Sequence, residues 1–262
     1  MHIDWSYSAA GLGIGFLVGL TGVGGGALMT PVLMLLFGVA PRTAVGTDLW
    51  VAAVTKLVGG TVHQHHGSVD WEVFRRLSAG SIPTAVLTLV WLHTSAVQSS
   101  QDARMMTALG VVLIVTAVAT IFRQKVHAVG NRLRETMPTQ FKLIQPALTV
   151  FAGAILGFLV TFTSVGAGAL GAVMLLYLYP KRMKPAKLIG TDLVHAVPLT
   201  IVAGTGHLLL GNVNYVLMLT LLLGSVPGVI IGSFASSRAP ENVIRAAIAL
   251  ALVASGIKMI SL

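Results

Sequence analysis

The sequence predicts an all-α polytopic membrane protein that consists of two repeats with opposite membrane topology. Of its 262 residues, 55% are hydrophobic and 10% are charged, and the mean hydropathy is +0.86. Soluble domains carry about 25% charged residues. Most of its apolar stretches also come close to the ~20 residues that cross a bilayer as a helix. The third observation is that the chain contains a long internal repeat.

The internal repeat consists of short motifs that recur in the same order. The spacing between copies is 142 residues for the first motifs and 144 for the later ones, so two residues are inserted between them. The clearest copies are GFLV at 15–18 and 157–160, GTDL at 46–49 and 190–193, and GT-x-H at 60–63 and 204–207. Such a repeat in a very apolar chain is typical of transporters with two-fold pseudosymmetry.

Ten apolar stretches predict the helices. In chain order they are 6–21, 27–38, 44–62, 73–92, 104–122, 145–162, 167–179, 188–209, 215–233 and 243–260. The second stretch makes only about 18 Å of helix, which is too short to span the bilayer. Each glycine cluster, at 22–26 and 164–168, is therefore predicted to be the tip of a re-entrant helical hairpin, whose backbone must face protein or a watery cavity.

Basic residues predict the sidedness. All but four of the 17 Lys and Arg residues fall on one side of the predicted bundle, which the positive-inside rule assigns to the cytoplasm. Arg42, Arg104 and Lys258 fall on the other side, together with both termini, and Lys56 lies within a helix. The predicted units are a first repeat (1–122), a basic cytoplasmic linker with some helix (123–142) and a second, inverted repeat (143–262). The net charge of +9 is therefore a topology signal and does not indicate nucleic-acid binding.

Composition and the N-terminal sequence exclude several features. The chain has no cysteine, which excludes disulfides and thiol chemistry. The first residues lack a basic region and a small-residue cleavage site, so no removable signal peptide is predicted.

The glycine clusters are candidate anion sites. Glycine at a helix break exposes backbone N–H groups, and the start of a half-helix adds partial positive charge. Nearby hydroxyl groups would add donors. The alternative is close helix packing through small residues. The candidate residues are Thr21, Gly22, Gly24, Gly25, Gly26, Thr163, Ser164, Gly166 and Gly168.

The two GTD motifs place acids within apolar segments. If the helices begin at Pro41 and Pro185, which suit a first helical position, Asp48 and Asp192 lie two turns inside the membrane. Carboxylates at that depth are usually functional. The alternative is a helix start at the motif itself, with the Thr and Asp as a cap. Thr47 and Thr191, in the same motifs, are additional candidate ligands.

Lys56 lies near the centre of its segment, on one helical stripe with Asp48. It aligns with Thr200 in the second repeat, so one positive charge breaks the pseudosymmetry. We expect an inward lysine that holds an anion at mid-depth. An internal ion pair and a lysine that snorkels to the interface are the alternatives.

Two histidines are candidate gates. Inversion places His63 with Asp192 and His207 with Asp48, and histidine titrates near neutral pH. The alternative is a histidine satisfied at a helix end. The run that begins at His63 also contains two more histidines, but no second cluster completes a metal site. No metal or cofactor is therefore predicted.

These motifs resemble the TauE/SafE sulfite exporter family, also called the 4-toluene sulfonate uptake permease family. The resemblance rests on the glycine cluster followed by Pro31, the Gly-Thr pairs and Gly-Ser-x-Pro-Gly at 224–228, and it extends from about Gly11 to Ile260. It implies a bacterial inner-membrane permease with inverted repeats for sulfite, sulfonates such as sulfoacetate, or other small sulfur-containing anions. Its glycine-rich segments fall on 22–26 and 166–168.

The sequence departs from the family pattern at the acids. Aspartate follows both Gly-Thr pairs, and the second glycine cluster contains Ser164 and Ala167. Acids near an anion path indicate ion coupling or a different substrate.

Together these features predict a secondary transporter that moves a small anion by alternating access, with the lipid bilayer and a coupling proton or cation as partners. A cation or metal permease whose aspartates bind the substrate is the alternative of the same class. An intramembrane enzyme is disfavoured because inversion spreads its catalytic groups toward opposite faces. No oligomeric state is specified.

Overall fold

The computed structural model describes residues 5–21, 26–64, 69–94, 98–235 and 241–262. In this part of the chain it shows eleven α-helices and no strand. The helices are α1 (Trp5–Thr21), α2 (Gly26–Leu35), α3 (Pro41–Gln64), α4 (Trp71–Thr94), α5 (Gln98–Ile121), α6 (Arg123–Thr136), α7 (Pro138–Thr163), α8 (Ala169–Leu178), α9 (Pro185–Leu209), α10 (Tyr215–Ala235) and α11 (Glu241–Ile260).

The helices confirm the predicted all-α class. Each predicted apolar stretch is one helix, and five helices in the described ranges are long and apolar enough to cross a membrane. The main difference is at α7, which begins at Pro138 rather than at residue 145. Proline suits the first position of a helix because its φ is preset and the N–H that it lacks would have no partner there.

The two halves of the chain pack through reciprocal contacts. Helix α1 packs along α10, and α4 packs along α7. The internal repeat equates α1 with α7 and α4 with α10, so one kind of contact is formed twice with the halves exchanged. Gly15 lies against Ser225, and the equivalent Gly157 lies against Ser81; at both glycines an added Cβ would overlap the opposing backbone. The halves are therefore interlocked, while their opposite membrane orientation remains a prediction.

Helices α3 and α9 pack on each other between these pairs. They are equivalent helices of the two repeats. The short helices α2 and α8 each contact the long helix of their own half, α3 and α9 respectively. The centre of the bundle is therefore formed by the elements that carry the GTD motifs and the glycine clusters.

The second glycine cluster is a real interruption between two helices. Helix α7 ends at Thr163, and Ser164 adopts a left-handed conformation with φ 60°. Gly166 and Gly168 follow with φ of +127° and +137°, values that favour glycine. Helix α8 has ten residues, about 15 Å of helix, which is too short to span. In the first cluster, residues 22–25 lie outside the described part, and α2 also has ten residues.

The predicted linker, 123–142, contains helix α6 and, from Pro138, the first residues of α7. Helix α6 packs on α8, where Gly130 lies against the backbone of Tyr177. The His127 ring donates from Nε2 to the carbonyl oxygen of Pro180 at 3.0 Å. The segment between the halves is therefore mostly helical and is attached to the short helix of the second half. Its cytoplasmic location remains a prediction.

Candidate functional site

The two central helices, α3 and α9, each begin at a proline. Helix α3 begins at Pro41 and α9 at Pro185, so the alternative in which the GTD motifs start and cap these helices is wrong. Asp48 and Asp192 consequently lie seven residues inside their helices. Their exposed fractions are 1% and 3%. Two buried carboxylates at this depth require partners or a function.

Thr47 and Thr191 hold the two halves together instead of facing the candidate site. The Thr47 hydroxyl accepts a hydrogen bond from the backbone N–H of Asn214 at 3.1 Å, and Thr191 accepts one from Asp70 at 2.9 Å. Asn214 and Asp70 each cap the following helix, α10 or α4, with a side-chain oxygen. These are equivalent contacts exchanged between the repeats. We therefore assign both threonines a structural part in this arrangement.

Asp48 connects three elements. Its Oδ2 accepts hydrogen bonds from the Thr30 hydroxyl at 2.6 Å and from the Ser164 hydroxyl at 3.0 Å. Thr30 lies on α2 and Ser164 lies in the turn after α7. The carboxylate thus joins the short helix of the first half to the glycine-rich turn of the second half. Two hydroxyl donors are what an ionised buried carboxylate needs.

Lys56 points into the bundle. It is 3% exposed, and its Nζ donates to the carbonyl oxygen of Ala167 at 2.8 Å. The ammonium lies within electrostatic range of both Asp48 and Asp192. The inward orientation is therefore confirmed, and the snorkelling alternative is wrong. At the equivalent position, the Thr200 hydroxyl donates to two backbone oxygens of its own helix, those of Ala196 and Val197.

The start of α8 offers unpaired backbone donors. Among the described residues, no acceptor pairs with the backbone N–H groups of Gly168, Ala169 and Leu170. All three residues are buried. A helix leaves its first N–H groups unpaired, and they carry the positive end of the helix dipole. Lys56 therefore adds a full positive charge next to the N-terminal end of α8, which carries the partial positive charge of the helix dipole.

Thr163 and Thr21 each donate a hydrogen bond within their own helix. Thr163 donates to the carbonyl oxygen of Leu159 at 2.6 Å, and Thr21 donates to that of Leu17 at 2.7 Å. Ser164, by contrast, donates to the Asp48 carboxylate of the other half. Of the candidate glycines, Gly22, Gly24 and Gly25 lie outside the described residues, whereas Gly26 begins α2. Gly166 and Gly168 lie in the turn that Lys56 contacts.

Asp192 differs from Asp48 in its partners. Its Oδ1 is buried and has no hydrogen-bond donor among the described residues. The carboxylate packs directly against Gly171, where an added Cβ would overlap Oδ1. The structure therefore brings one lysine and two carboxylates together at the second glycine-rich turn, with only one carboxylate hydrogen-bonded through hydroxyl groups.

The histidines do not form the predicted pairs. His207 is fully buried, donates from Nε2 to the carbonyl oxygen of Thr161 at 2.9 Å and accepts at Nδ1 from the Asn212 amide at 3.3 Å. The predicted pairing of His207 with Asp48 is therefore wrong for this structure, and the histidine is satisfied at a helix end. The side chain of His63 lies outside the described residues, so its pairing with Asp192 remains a prediction.

Sequence reasoning missed His195. It is fully buried on α9, its Nε2 lies 2.9 Å from the Ser81 hydroxyl, and it is within electrostatic range of Lys56. Its position three residues after Asp192 was the available signal, because residues three apart are neighbours on a helix. Its equivalent in the first repeat is Val51, so His195 also breaks the pseudosymmetry.

An ion-paired cluster lies at the start of α4. Arg182 contacts both Asp70 carboxylate oxygens, at 2.5 and 2.7 Å, and the Lys187 ammonium lies 3.1 Å from the same group. Burial raises the pKa of Asp70, but the hydrogen bonds from Arg182 and Lys187 outweigh it, so this pKa lies below its ordinary value. In the described ranges no group of His, Cys, Asp or Glu is arranged to hold a metal.

A multi-pass helical protein with a broken helix and buried charges at its centre has the features of a membrane transporter. Comparison with known proteins agrees. The family described as sulfite exporter TauE/SafE matches residues 7–259. The chain belongs to the TauE/SafE sulfite exporter family and is a membrane transporter, which confirms the resemblance found in the sequence.

Two relatives match over nearly their full length. The chain is similar to "Probable membrane transporter protein YjnA" of Bacillus subtilis, with 39% identity over 95% of this chain and 97% of that protein. It is also similar to "Probable membrane transporter protein YdhB" of the same organism, with 24% identity over 94% and 96% of the two chains. No solved structure matches this chain.

Proposed function

We propose that the protein is a secondary transporter that moves a small sulfur-containing oxyanion, such as sulfite or an organosulfonate, by alternating access. The anion is placed at the turn between α7 and α8 and shared with the glycine cluster of the first repeat. The observation that carries this proposal is the Lys56 ammonium, buried and bonded to Ala167 at the start of α8. The family description, sulfite exporter, supports this class of anion.

The site has the groups that a dehydrated oxyanion needs. Transfer of an anion out of water costs several kcal/mol unless fixed donors replace the hydration shell. The unpaired N–H groups at the start of α8 and the Ser164 hydroxyl supply such donors, and Lys56 supplies charge. The nearby Gly166 and Gly168 allow an oxygen to approach the backbone closely.

The described arrangement is closed around these charges. Asp48, Lys56 and Asp192 are each no more than 3% exposed. Access from either side of the membrane therefore requires helices to move, as alternating access does. We place the protein in the bacterial inner membrane, with both termini on the non-cytoplasmic side and with proton or cation coupling.

A cation permease is the second candidate, because two buried carboxylates and a carbonyl oxygen would suit a cation. Lys56 argues against it, since its ammonium already lies at the Ala167 carbonyl where such a cation would bind. Competition in liposomes separates the two candidates. Excess sulfonate should inhibit uptake if the substrate is an anion, and divalent metal should inhibit it if the substrate is a cation.

The substitution Lys56→Met tests the proposal. Liposome uptake of sulfite and sulfoacetate should fall at least tenfold, because the buried positive charge is lost. Lys258→Met is the matched control, because Lys258 is exposed in the last turn of α11, and it should leave uptake unchanged. Both proteins should elute as folded species after extraction. Near-normal uptake by the Lys56 variant would remove this lysine from the mechanism.

A further inference from the structure

We propose that Asp192 carries the coupling proton, whereas Asp48 stays ionised and holds the glycine-rich turn in place. The proposal rests on the anion-transport function above and assigns the coupling ion of the same site. It rests on two observations, the number of buried charges and the different partners of the two carboxylates.

Among the described side chains, the buried charges at this site balance when one proton is bound. Lys56 is the lysine in electrostatic range of both carboxylates, and all three groups are buried. With both aspartates ionised the group would carry one net negative charge inside the membrane, where unbalanced charge is costly. One bound proton makes the group neutral before any anion enters.

The hydroxyl partners determine which carboxylate takes the proton. Asp48 accepts hydrogen bonds from Thr30 and Ser164, which stabilise its ionised form. In the internal repeat, Thr30 corresponds to Ala172 and Ser164 corresponds to Gly22, neither of which has a hydroxyl. In the part of the chain that the structure describes, Asp192 Oδ1 accordingly has no donor. The proton is therefore better placed on Asp192.

Among the described residues, the other charged and titratable groups near Asp192 do not replace this role; the side chain of His63, on α3, lies outside them. Helix α3 contributes Lys56 and Asp48. His195, on α9 itself, is bonded to Ser81 of α4. Asp70, just before α4, meets α9 at Thr191 and is held by Arg182 and Lys187. Helix α8 faces Asp192 with Gly171, and the α7 side chain next to that glycine is the apolar Leu156.

A proton on Asp192 would couple anion transport to proton transport in the same direction. When Asp192 is ionised, its negative charge repels an anion at the start of α8. Proton uptake converts the carboxylate to the neutral acid, and the anion can then bind beside Lys56. Release of the anion and the proton on the other side of the membrane restores the ionised form. Proton and anion therefore move in the same direction.

The first test detects the proton without any substrate. Infrared difference spectra of purified protein between roughly pH 5 and 9 should show the C=O band of one buried carboxylic acid that titrates. The band should disappear in Asp192→Asn and remain in Asp48→Asn, the matched control at the equivalent position. Persistence of the band in Asp192→Asn overturns the proposal. If that variant does not fold, Asp48→Asn decides, because loss of the titrating band there assigns it to Asp48.

The second test links the proton to the anion. Sulfoacetate is the probe because both of its acidic groups stay ionised over this pH range. Its affinity for the wild type should fall about tenfold per pH unit above the titration midpoint. In Asp192→Asn the affinity should no longer depend on pH, since the amide mimics the neutral acid. A wild-type pH dependence in this variant overturns the coupling.

The two proposals fail in different ways. If the wild-type protein shows the Asp192 band but neither binds nor transports sulfite or sulfoacetate, the anion function is wrong and the proton site stands. If it transports these anions while Asp192→Asn keeps the band, the anion function stands and the proton assignment is wrong.

Discussion

At the scale of single residues, Asp48 depends on two neutral hydroxyl groups from different parts of the chain. Thr30 is 18 residues away in sequence and Ser164 is 116 residues away. A buried carboxylate that loses a donor is left with a lone pair facing apolar surroundings. The stability of the glycine-rich turn is therefore tied to the ionised state of Asp48.

We expect Thr30→Val to lower the free energy of unfolding by about 1 to 3 kcal/mol, because one hydrogen bond to a buried charge is lost. Thermal unfolding in detergent measures the effect. Thr120→Val is the matched control, since Thr120 is also buried but its hydroxyl donates only to the Thr116 carbonyl of its own helix. Equal losses in the two variants would contradict this account of Asp48.

Asp70 gives a prediction about pH. Because its pKa in the folded protein lies below the ordinary value, its contribution is complete above the unfolded pKa of about 4 and is lost as pH falls through the folded value. Asp70→Asn should keep the helix cap but lose the pairs with Arg182 and Lys187. The variant should be less stable than the wild type at pH 7, by about 1 to 3 kcal/mol.

The difference between Asp70→Asn and the wild type should shrink as the pH falls below about 4, where the wild-type carboxylate also loses its charge. Unfolding midpoints measured at several pH values check this. A difference that stays constant down to the most acidic condition would mean that the ion pairs with Arg182 and Lys187 do not stabilise the fold.

At the scale of elements, the packing of α1 on α10 and of α4 on α7 depends on backbone contact. Gly80 lies against the Val150 carbonyl, and its equivalent Gly224 lies against the Ser8 carbonyl. Small residues allow helices in a membrane to approach this closely. Because the two interfaces are equivalent, the same substitution in either one should have the same effect.

We expect Gly80→Ala and Gly224→Ala each to destabilise the protein by about 1 to 3 kcal/mol, since the added methyl group must push two helices apart. Gly13→Ala is the control, because Gly13 lies in α1 and a Cβ there meets nothing within 4 Å. Its unfolding temperature should be unchanged or slightly raised, since alanine favours helix. Thermal unfolding of the three variants provides the comparison. A loss in Gly13→Ala as large as in the others would argue against helix contact as the cause.

Most helices could be predicted from the sequence, and so could some residues of the candidate site. Pro41 and Pro185 indicated one of the two starts that the sequence left open for α3 and α9, because the effect of proline is local, and the structure decided for it. The inward position of Lys56 follows from its stripe along α3. The hydrogen bond between Thr47 and Asn214 could not be predicted, because the two residues are 167 positions apart and nothing in either segment indicates the contact.

At the scale of the whole molecule, the reciprocal contacts mean that neither half has a bundle of its own. The predicted inversion places the Lys184 end of the protein in the cytoplasm and the Lys258 end outside. The absence of cysteine makes the chain suitable for labelling experiments, because any introduced thiol is the single reactive one.

We expect Lys258→Cys, but not Lys184→Cys, to react with a membrane-impermeant maleimide in intact cells. Both positions are exposed, so burial does not explain a difference. In inside-out vesicles the pattern should reverse, which serves as the control for reactivity. Labelling of both positions from the same side would contradict the predicted topology.

The sequence by itself determined the class of protein, the order of its apolar helices, the internal repeat and the break at 164–168. These follow from hydrophobic length, proline and glycine chemistry and self-similarity, which act over a few residues or can be read by aligning the chain with itself. Only the tertiary structure decided that Asp48 accepts hydrogen bonds from hydroxyl groups, whereas Asp192 Oδ1 lacks a donor among the described residues. It also decided that His207 bonds to the Thr161 carbonyl. The physical reason is that a hydrogen bond needs atoms within about 3 Å, and residues distant in sequence come that close only once the helices have packed.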